Sequence, residues 1–248
     1  MDRPAGNLFS TRSVVMTTNG MAATSHPLAT QIAIDILKHG GTAVDGAIAA
    51  NAALGLMEPT GSGIGGDLFA IYWQEKEKKL IGLNASGRSS KSLSYEDMRG
   101  ACPDGKIPAY GPLSVSTPGA VDGWFELHGR YGKMPMNQLL APSISYAEKG
   151  FPVTEIIAET WASDADKLNQ YPGFSDVFMP TGKAPRPGEI FTNPRLAETY
   201  RHIAKYGRDG FYSGDLAHTI ADYMAANGGF INATDLAEHK SEWVDPVT

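Results

Sequence analysis

Apolar residues recur at helical spacing along much of the chain. In "TSHPLATQIAIDILKHGG", Leu28, Ile32 and Ile36 fall four apart on one face, Ser25 is placed as N-cap, Pro27 lies in the first turn, and Gly40 and Gly41 end the helix. Thr42 with Asp45 forms a capping pair for "AVDGAIAANAALGLM", whose alanines and glycines suit close approach to a neighbouring element. The two helices are expected to pack as a pair. The period then changes, and "DLFAIYW" and "KKLIGLNA" read as two strands joined by the charged tip "QEKEK". Helical spacing returns in "PGAVDGWFELHGRYGK", "NQLLAPSISYAEKGF", "VTEIIAETWASDADKL", "NPRLAETYRHIAKYG" and "GDLAHTIADYMAANGG". Residues 171–194, rich in Pro and Gly, read as a long surface loop inside a single domain spanning 1–248.

Composition narrows the class of partner. The apolar content of 42% over 248 residues suffices for a sizeable core, and the formal charge of -6 is spread along the chain with no basic run interleaved with aromatics. Nucleic acid is therefore not an expected partner. The single cysteine, Cys102, excludes an internal disulfide and sits in a Pro-Asp-Gly setting expected to be an exposed turn. No apolar core follows the early arginine of "MDRPAGNLFSTRSVVMTTNG", and no membrane-length apolar run occurs. The expectation is a cytoplasmic protein without a membrane partner.

Gly61, Gly63 and Gly66 of "EPTGSGIGGDLFAIYW" satisfy G-x-G-x-x-G. A dinucleotide site needs that fingerprint after a strand and opening a helix, where the helix N-terminus holds the pyrophosphate. Here the helix precedes and the strand follows, so a tight loop excluding side chains is the better reading, and no cofactor is expected. Ser62 has Thr60 and Ile64 where a nucleophile elbow needs glycines. The six histidines (26, 39, 128, 202, 218 and 239) show no zinc spacing and are expected at helix surfaces and caps, so no metal is implied. Trp73, Trp124, Trp161 and Trp243 are expected in cores or interfaces. Glu58 is placed to accept hydrogen bonds from the amides of the glycine loop.

In combination these segments resemble a known family. "GGTAVDGAIAANAALGLMEPTGSGIGGDLFAIYW" is similar to the signature run of the γ-glutamyltransferase family, "STPGAVDGWFELHGRYGKMPMNQLLAPSISYAEKGFPV" to its Pro-Gly helix and following region, and "FYSGDLAHTIADYMAANGGFINATDLAEH" to a stretch ending in an acidic "DL" pair. The resemblance covers about residues 14 to 247. It implies an α+β, N-terminal nucleophile (Ntn) hydrolase fold, an αββα four-layer sandwich of which this chain is an incomplete, helix-rich part. Such precursors cut themselves, and the threonine that then begins the small subunit attacks the amide with its own amine as base. The chain corresponds to the N-terminal part of the large subunit, so the resemblance puts the nucleophile beyond residue 248, on a small subunit from the same precursor, and no catalytic residue in this chain. Thr248 lies in a region matching the interior of the large subunit and is not taken as that nucleophile.

An arginine after the second strand grips the substrate carboxylate in that family, a task suited to the planar donors of a guanidinium. The corresponding stretch "GLNASGRSSKS" contains only Arg88; a gap-free comparison puts Ser86 at the binding position, and Ser89 and Ser90 replace the usual Ala-Pro. Arg88 is taken as the substrate-binding residue, with a solvated surface charge as the alternative. Asp67, where the transferases usually carry glycine, is expected to hold strand-edge amides, with a side chain facing the pocket as the alternative. The resemblance implies an amide hydrolase or acyltransferase for a small amide substrate. Its variants are a hydrolase of another carboxylate-bearing amide, such as oxamate, or a β-lactam acylase. A non-catalytic interaction module and a nucleotide-dependent oxidoreductase are the contrasting classes.

Overall fold

A computed structural model describes residues 14–247. Thr248, and most of the N-terminal stretch read for a leader, lie outside the described residues. In chain order the elements are α1 (Pro27–Lys38), α2 (Ala43–Met57), β1 (Leu68–Gln74), β2 (Lys79–Ala85), α3 (Tyr95–Ala101), α4 (Ala120–Tyr131) and α5 (Met136–Lys149). They continue with β3 (Phe151–Pro152), α6 (Glu155–Leu168), α7 (Phe174–Phe178), β4 (Ile190–Phe191), α8 (Pro194–Tyr206), α9 (Asp209–Tyr212), α10 (Gly214–Ala226), α11 (Ala233–Ala237) and β5 (Glu242–Val244). Backbone contacts divide the described residues into two compact units, one of residues up to 62 with 133–200 and one of residues 63–132 with those from 201 onward.

The first unit is helical. In α1 the cap is His26 rather than Ser25: its Nδ1 accepts from Leu28 N at 3.3 Å, while the Ser25 hydroxyl donates to Glu58 Oε2 at 2.7 Å. Ala29, Ile32, Ala33 and Ile36 form the buried stripe, with Leu28 only half-buried at its margin. Thr42 and Asp45 make a complete capping box on α2. Asp45, fully buried, also accepts from the backbone amides of Lys133 and Met134 at 3.1–3.2 Å, so one carboxylate both starts α2 and fixes the approach to α5. Gly46 faces α1 closely, since a β-carbon there would meet Ala33 O at 3.3 Å. Where a surface loop was expected at 171–194, α7 and β4 add local structure: Phe178 and Phe191 pack edge-on against buried Trp161. The Tyr200 hydroxyl donates to Ala52 O at 2.8 Å and is fully buried.

The second unit is built on an antiparallel sheet of order β1-β2-β5. The β1-β2 hairpin runs from Leu68↔Ala85 to Gln74↔Lys79, as the alternating sequence and charged tip predict. β5 adds to β2 with Gly82↔Val244, Leu83↔Trp243 and Asn84↔Glu242. Helix α4 covers one face: a β-carbon at Gly123 would meet Ala85 Cβ at 2.8 Å and Leu68 Cδ2 at 3.0 Å, and Tyr72 stacks on Tyr131 at 4.2 Å between centroids. Trp243 is clamped to α4 by a bond to Glu126 Oε2 of 2.8 Å and by the Arg130 guanidinium 3.9 Å from its ring. Among the described residues, nothing covers the opposite face. Phe69, Ile71 and Trp73 alternate outward with exposures of 69%, 72% and 49%, beside exposed Leu80 and Val244.

Cys102 is buried, not on an exposed turn; it ends α3, with its thiol 3.7 Å from Met98 Sδ. The Pro-Asp-Gly sequence does form a turn, but only after the cysteine has packed inward.

Candidate functional site

The loop leaving β2 carries the one arginine singled out from sequence, and its backbone is held at almost every residue. Ser86 N donates to Asn84 Oδ1 at 2.9 Å, and Gly87 N to Asp67 Oδ1 at 2.8 Å. The Arg88 carbonyl accepts from both the amide and hydroxyl of Thr117, at 3.0 and 3.1 Å. Ser90 Oγ and Lys91 N donate to the two oxygens of Asp235 at 2.6 and 2.9 Å. Asp235 is buried and is itself fixed by the capping box that Asn232 forms at α11. Gly87 lies against Thr117 so closely that a β-carbon would sit 1.7 Å from its carbonyl oxygen, which requires glycine.

Arg88 therefore projects from a rigid platform. Its side chain is 74% exposed and its guanidinium pairs with Glu242 of β5. Directly opposed residues in an antiparallel pair share a face, so Glu242, opposite Asn84, belongs to the uncovered face that also presents Phe69, the other partner of Asn84. Arg88 thus reaches the end of the exposed apolar surface. Asp67 performs the amide-holding task expected of it. Glu58 departs from expectation: its main-chain carbonyl, not its carboxylate, accepts from Gly61 N and Ser62 N, both at 2.9 Å.

The glycines have a structural task on the far side of the cluster as well. Gly66 O accepts from Gly119 N at 3.0 Å and Ala120 N at 2.9 Å, so the first amides of α4 are capped by a carbonyl. Those are the donors a pyrophosphate would have needed at that helix end.

Beneath the platform lies a polar network that periodicity did not reveal. Asp122, buried in the first turn of α4, accepts from Ser241 N at 2.7 Å, from the Ser241 hydroxyl and from Arg208 Nε. Burial opposes its charge, but the bonds from Ser241 and Arg208 outweigh that and hold the carboxyl below the usual range. The Tyr212 hydroxyl donates to Pro118 O at 2.8 Å and accepts from Asp122 N at 3.0 Å; burial pushes its phenol pKa up. His239 stacks on Tyr212 at 5.5 Å, with Nε2 4.0 Å from Asp122 Oδ2. Burial lowers the pKa of His239 against the opposing pull of Asp122. His239 and His26 are buried, contrary to the surface placement expected of them, although His26 does cap its helix. Trp124 and Trp161 are core residues, Trp243 is half-buried, and Trp73 is exposed.

The segments that carry this arrangement match a family described as gamma-glutamyltranspeptidase over residues 29–248. The chain belongs to the gamma-glutamyltranspeptidase family. Among curated relatives it is 39% identical over 241 residues to the oxamate amidohydrolase proenzyme of Klebsiella pneumoniae, covering 94% of this chain and 44% of that protein. It is 35% identical over 235 residues to the glutathione hydrolase-like YwrD proenzyme of Bacillus subtilis, with the same coverage. Among solved structures, a cephalosporin acylase from Bacillus halodurans superposes with a TM-score of 0.90 at 42% identity, covering all of this chain and 47% of the acylase. The Helicobacter pylori gamma-glutamyltranspeptidase gives 0.88 at 30% identity, covering 95% and 68%. The chain spans less than half the length of these curated relatives. Its helix-rich architecture with small antiparallel sheets is part of the fold of these family structures.

Proposed function

We propose that this chain is the N-terminal portion of the large subunit of an amide hydrolase or acyltransferase of the γ-glutamyltranspeptidase type. In this reading the complete protein is an αββα Ntn hydrolase whose precursor cleaves itself in the cytoplasm. The threonine freed at the start of the small subunit attacks the substrate amide, the amine leaves, and the acyl-threonine ester passes its acyl group to water or to an acceptor amine. Arg88 binds the carboxylate of the acyl group.

The observation that carries the reading is the placement of Arg88 on an anchored loop at the end of an uncovered apolar sheet face. Three outward aromatic or aliphatic side chains on one strand form the kind of face that a second sheet covers in a sandwich. A pocket closed by that second layer would have a guanidinium at its rim, where charge-assisted bidentate bonding can fix a small anionic substrate. The relatives named as proenzymes, with more than half their length outside the match, support a nucleophile supplied by further chain. The altered setting of Arg88, with serines beside it, equally suits a short dicarbonyl acid such as the substrate named for the Klebsiella relative.

The test uses the complete gene product after processing. Acid release from oxamate and from γ-glutamyl p-nitroanilide separates the substrate classes, and added glycylglycine diverts the acyl group to a dipeptide only in a transferase. Arg88→Lys is expected to raise KM for the carboxylate-bearing amide at least about tenfold, since a point charge replaces a planar fork. An unchanged KM removes Arg88 from the substrate site.

A further inference from the structure

Glu242 has no role in the reading above, yet it is the acidic partner the guanidinium of Arg88 takes in this structure. Its address is set by the backbone: β5 pairs with β2 so that Glu242 stands opposite Asn84, four residues before Arg88. The pair is not needed to hold the loop. Asn84, Asp67, Thr117 and Asp235 already bind the backbone from Ser86 to Lys91, and both side chains are more than half exposed, at 74% and 54%. An ion pair that contributes little to stability and sits on the donor fork is one that a second carboxylate can displace.

We infer that Glu242 is a specificity-determining residue, an internal carboxylate that occupies Arg88 and that the carboxylate of the substrate must displace. The inference rests on Arg88 being the carboxylate-binding residue and adds to it a built-in competitor. Glu242 raises KM by one common factor for every amide whose carboxylate must take Arg88, and leaves amides without a carboxylate unaffected. It touches no reacting atom, so it acts on binding and leaves the chemical step alone.

The experiment is steady-state kinetics of the complete processed enzyme on oxamate and γ-glutamyl p-nitroanilide, with Glu242→Gln, Arg88→Gln and the double variant. Exposed pairs are weak, so Glu242→Gln is expected to lower KM about two- to fivefold for both probes with kcat unchanged. The gain should vanish in the Arg88→Gln background, because no fork remains to be freed. If Glu242→Gln raises KM for the amino-bearing glutamyl probe, Glu242 is a ligand for the substrate ammonium and not a competitor, and the inference is overturned. An unchanged KM for Glu242→Gln alongside a raised KM for Arg88→Gln sinks the competitor and leaves the binding arginine standing. If Arg88→Gln itself leaves KM unmoved, the underlying assignment has failed instead.

Discussion

Gly87→Ala tests whether the loop that presents Arg88 is as rigid as its hydrogen bonds make it. The new β-carbon would lie 1.7 Å from Thr117 O, 2.6 Å from its carbonyl carbon and 2.9 Å from its nitrogen, all backbone atoms with no rotamer to yield. Ordinary contact begins near 3.4 Å, so one segment must move by roughly 1.7 Å. Movement in either direction breaks the paired bonds from Thr117 to Arg88 O or the bond from Gly87 N to Asp67. Overpacking of this kind costs about 1–3 kcal/mol of stability. Displacing a positioning group by about 1 Å can cost on the order of a hundredfold in activity. We expect Gly87→Ala to lower kcat/KM for carboxylate-bearing amides at least about tenfold through KM, with a lowered Tm. Gly63→Ala is the control, because a β-carbon there meets nothing within 4 Å, and both parameters should stay at wild-type values. A Gly87→Ala enzyme that melts and binds like the wild type would show that the platform tolerates movement, and the case for a fixed Arg88 would fall.

Two further perturbations probe the network beneath the platform. Asp122→Ala strands the Ser241 amide and the half-buried Arg208 and should lower stability by about 3 kcal/mol in urea denaturation, toward the lower end for a buried pair. Asp209→Ala, which removes the exposed carboxylate 3.5 Å from the same arginine, should cost less than about 1 kcal/mol, and equal losses would refute the distinction. Acid should destabilise the protein in two windows. The imidazoles of His26 and His239 have folded pKa values below the unfolded 6.5, so their contribution is full above that pH and is lost as pH falls through the folded values. The contribution of Asp122, whose pKa is likewise depressed, is lost only further down, below about 4. His239→Gln should flatten part of the first window in a Tm-against-pH series, and a Tm independent of pH from 7 to 5 would contradict the assignment.

Much of this was legible because local rules and packing agree along α1, α2, the β1-β2 hairpin and the five longer helices downstream. Thr42 and Asp45 illustrate the agreement: the spacing that marks a capping box in sequence also places the carboxylate where it receives the Lys133 and Met134 amides. The glycine cluster was legible only in its helix-then-strand order: the expected exclusion of side chains is not found, since Gly61, Gly65 and Gly66 are exposed and a β-carbon at Gly63 or Gly65 meets nothing within 4 Å, and Gly66 contributes instead through its carbonyl at α4. Short elements were not legible. α9, α11 and β5 span four, five and three residues, too few to express a period, although Asn232 and Asp235 do spell a capping box that could have marked α11.

The functional gap has a different cause. Arg88 could be chosen from sequence because a family resemblance supplied a position, but nothing in "SGRSSKS" says what its guanidinium meets. Glu242 lies 154 residues away and enters only through the β2-β5 register, and the Asp122 network likewise joins residues separated by 86 and 119 positions. Long-range pairing of charged groups leaves no periodic trace, because a single Glu on a three-residue edge strand reads as solvated until a partner strand fixes its neighbour. Cys102 and His239 are buried for a similarly non-local reason. A polar turn sequence predicts the backbone, whereas burial of the side chain depends on which remote surface arrives to cover it. The uncovered face of Phe69, Ile71 and Trp73 is the converse case: the alternation that made β1 recognisable as a strand offers apolar groups on a side that α4 does not reach. Each of these side chains left in water forgoes of order 2 kcal/mol that its burial would contribute. A second layer over that face, as in the proposed sandwich, would recover that contribution.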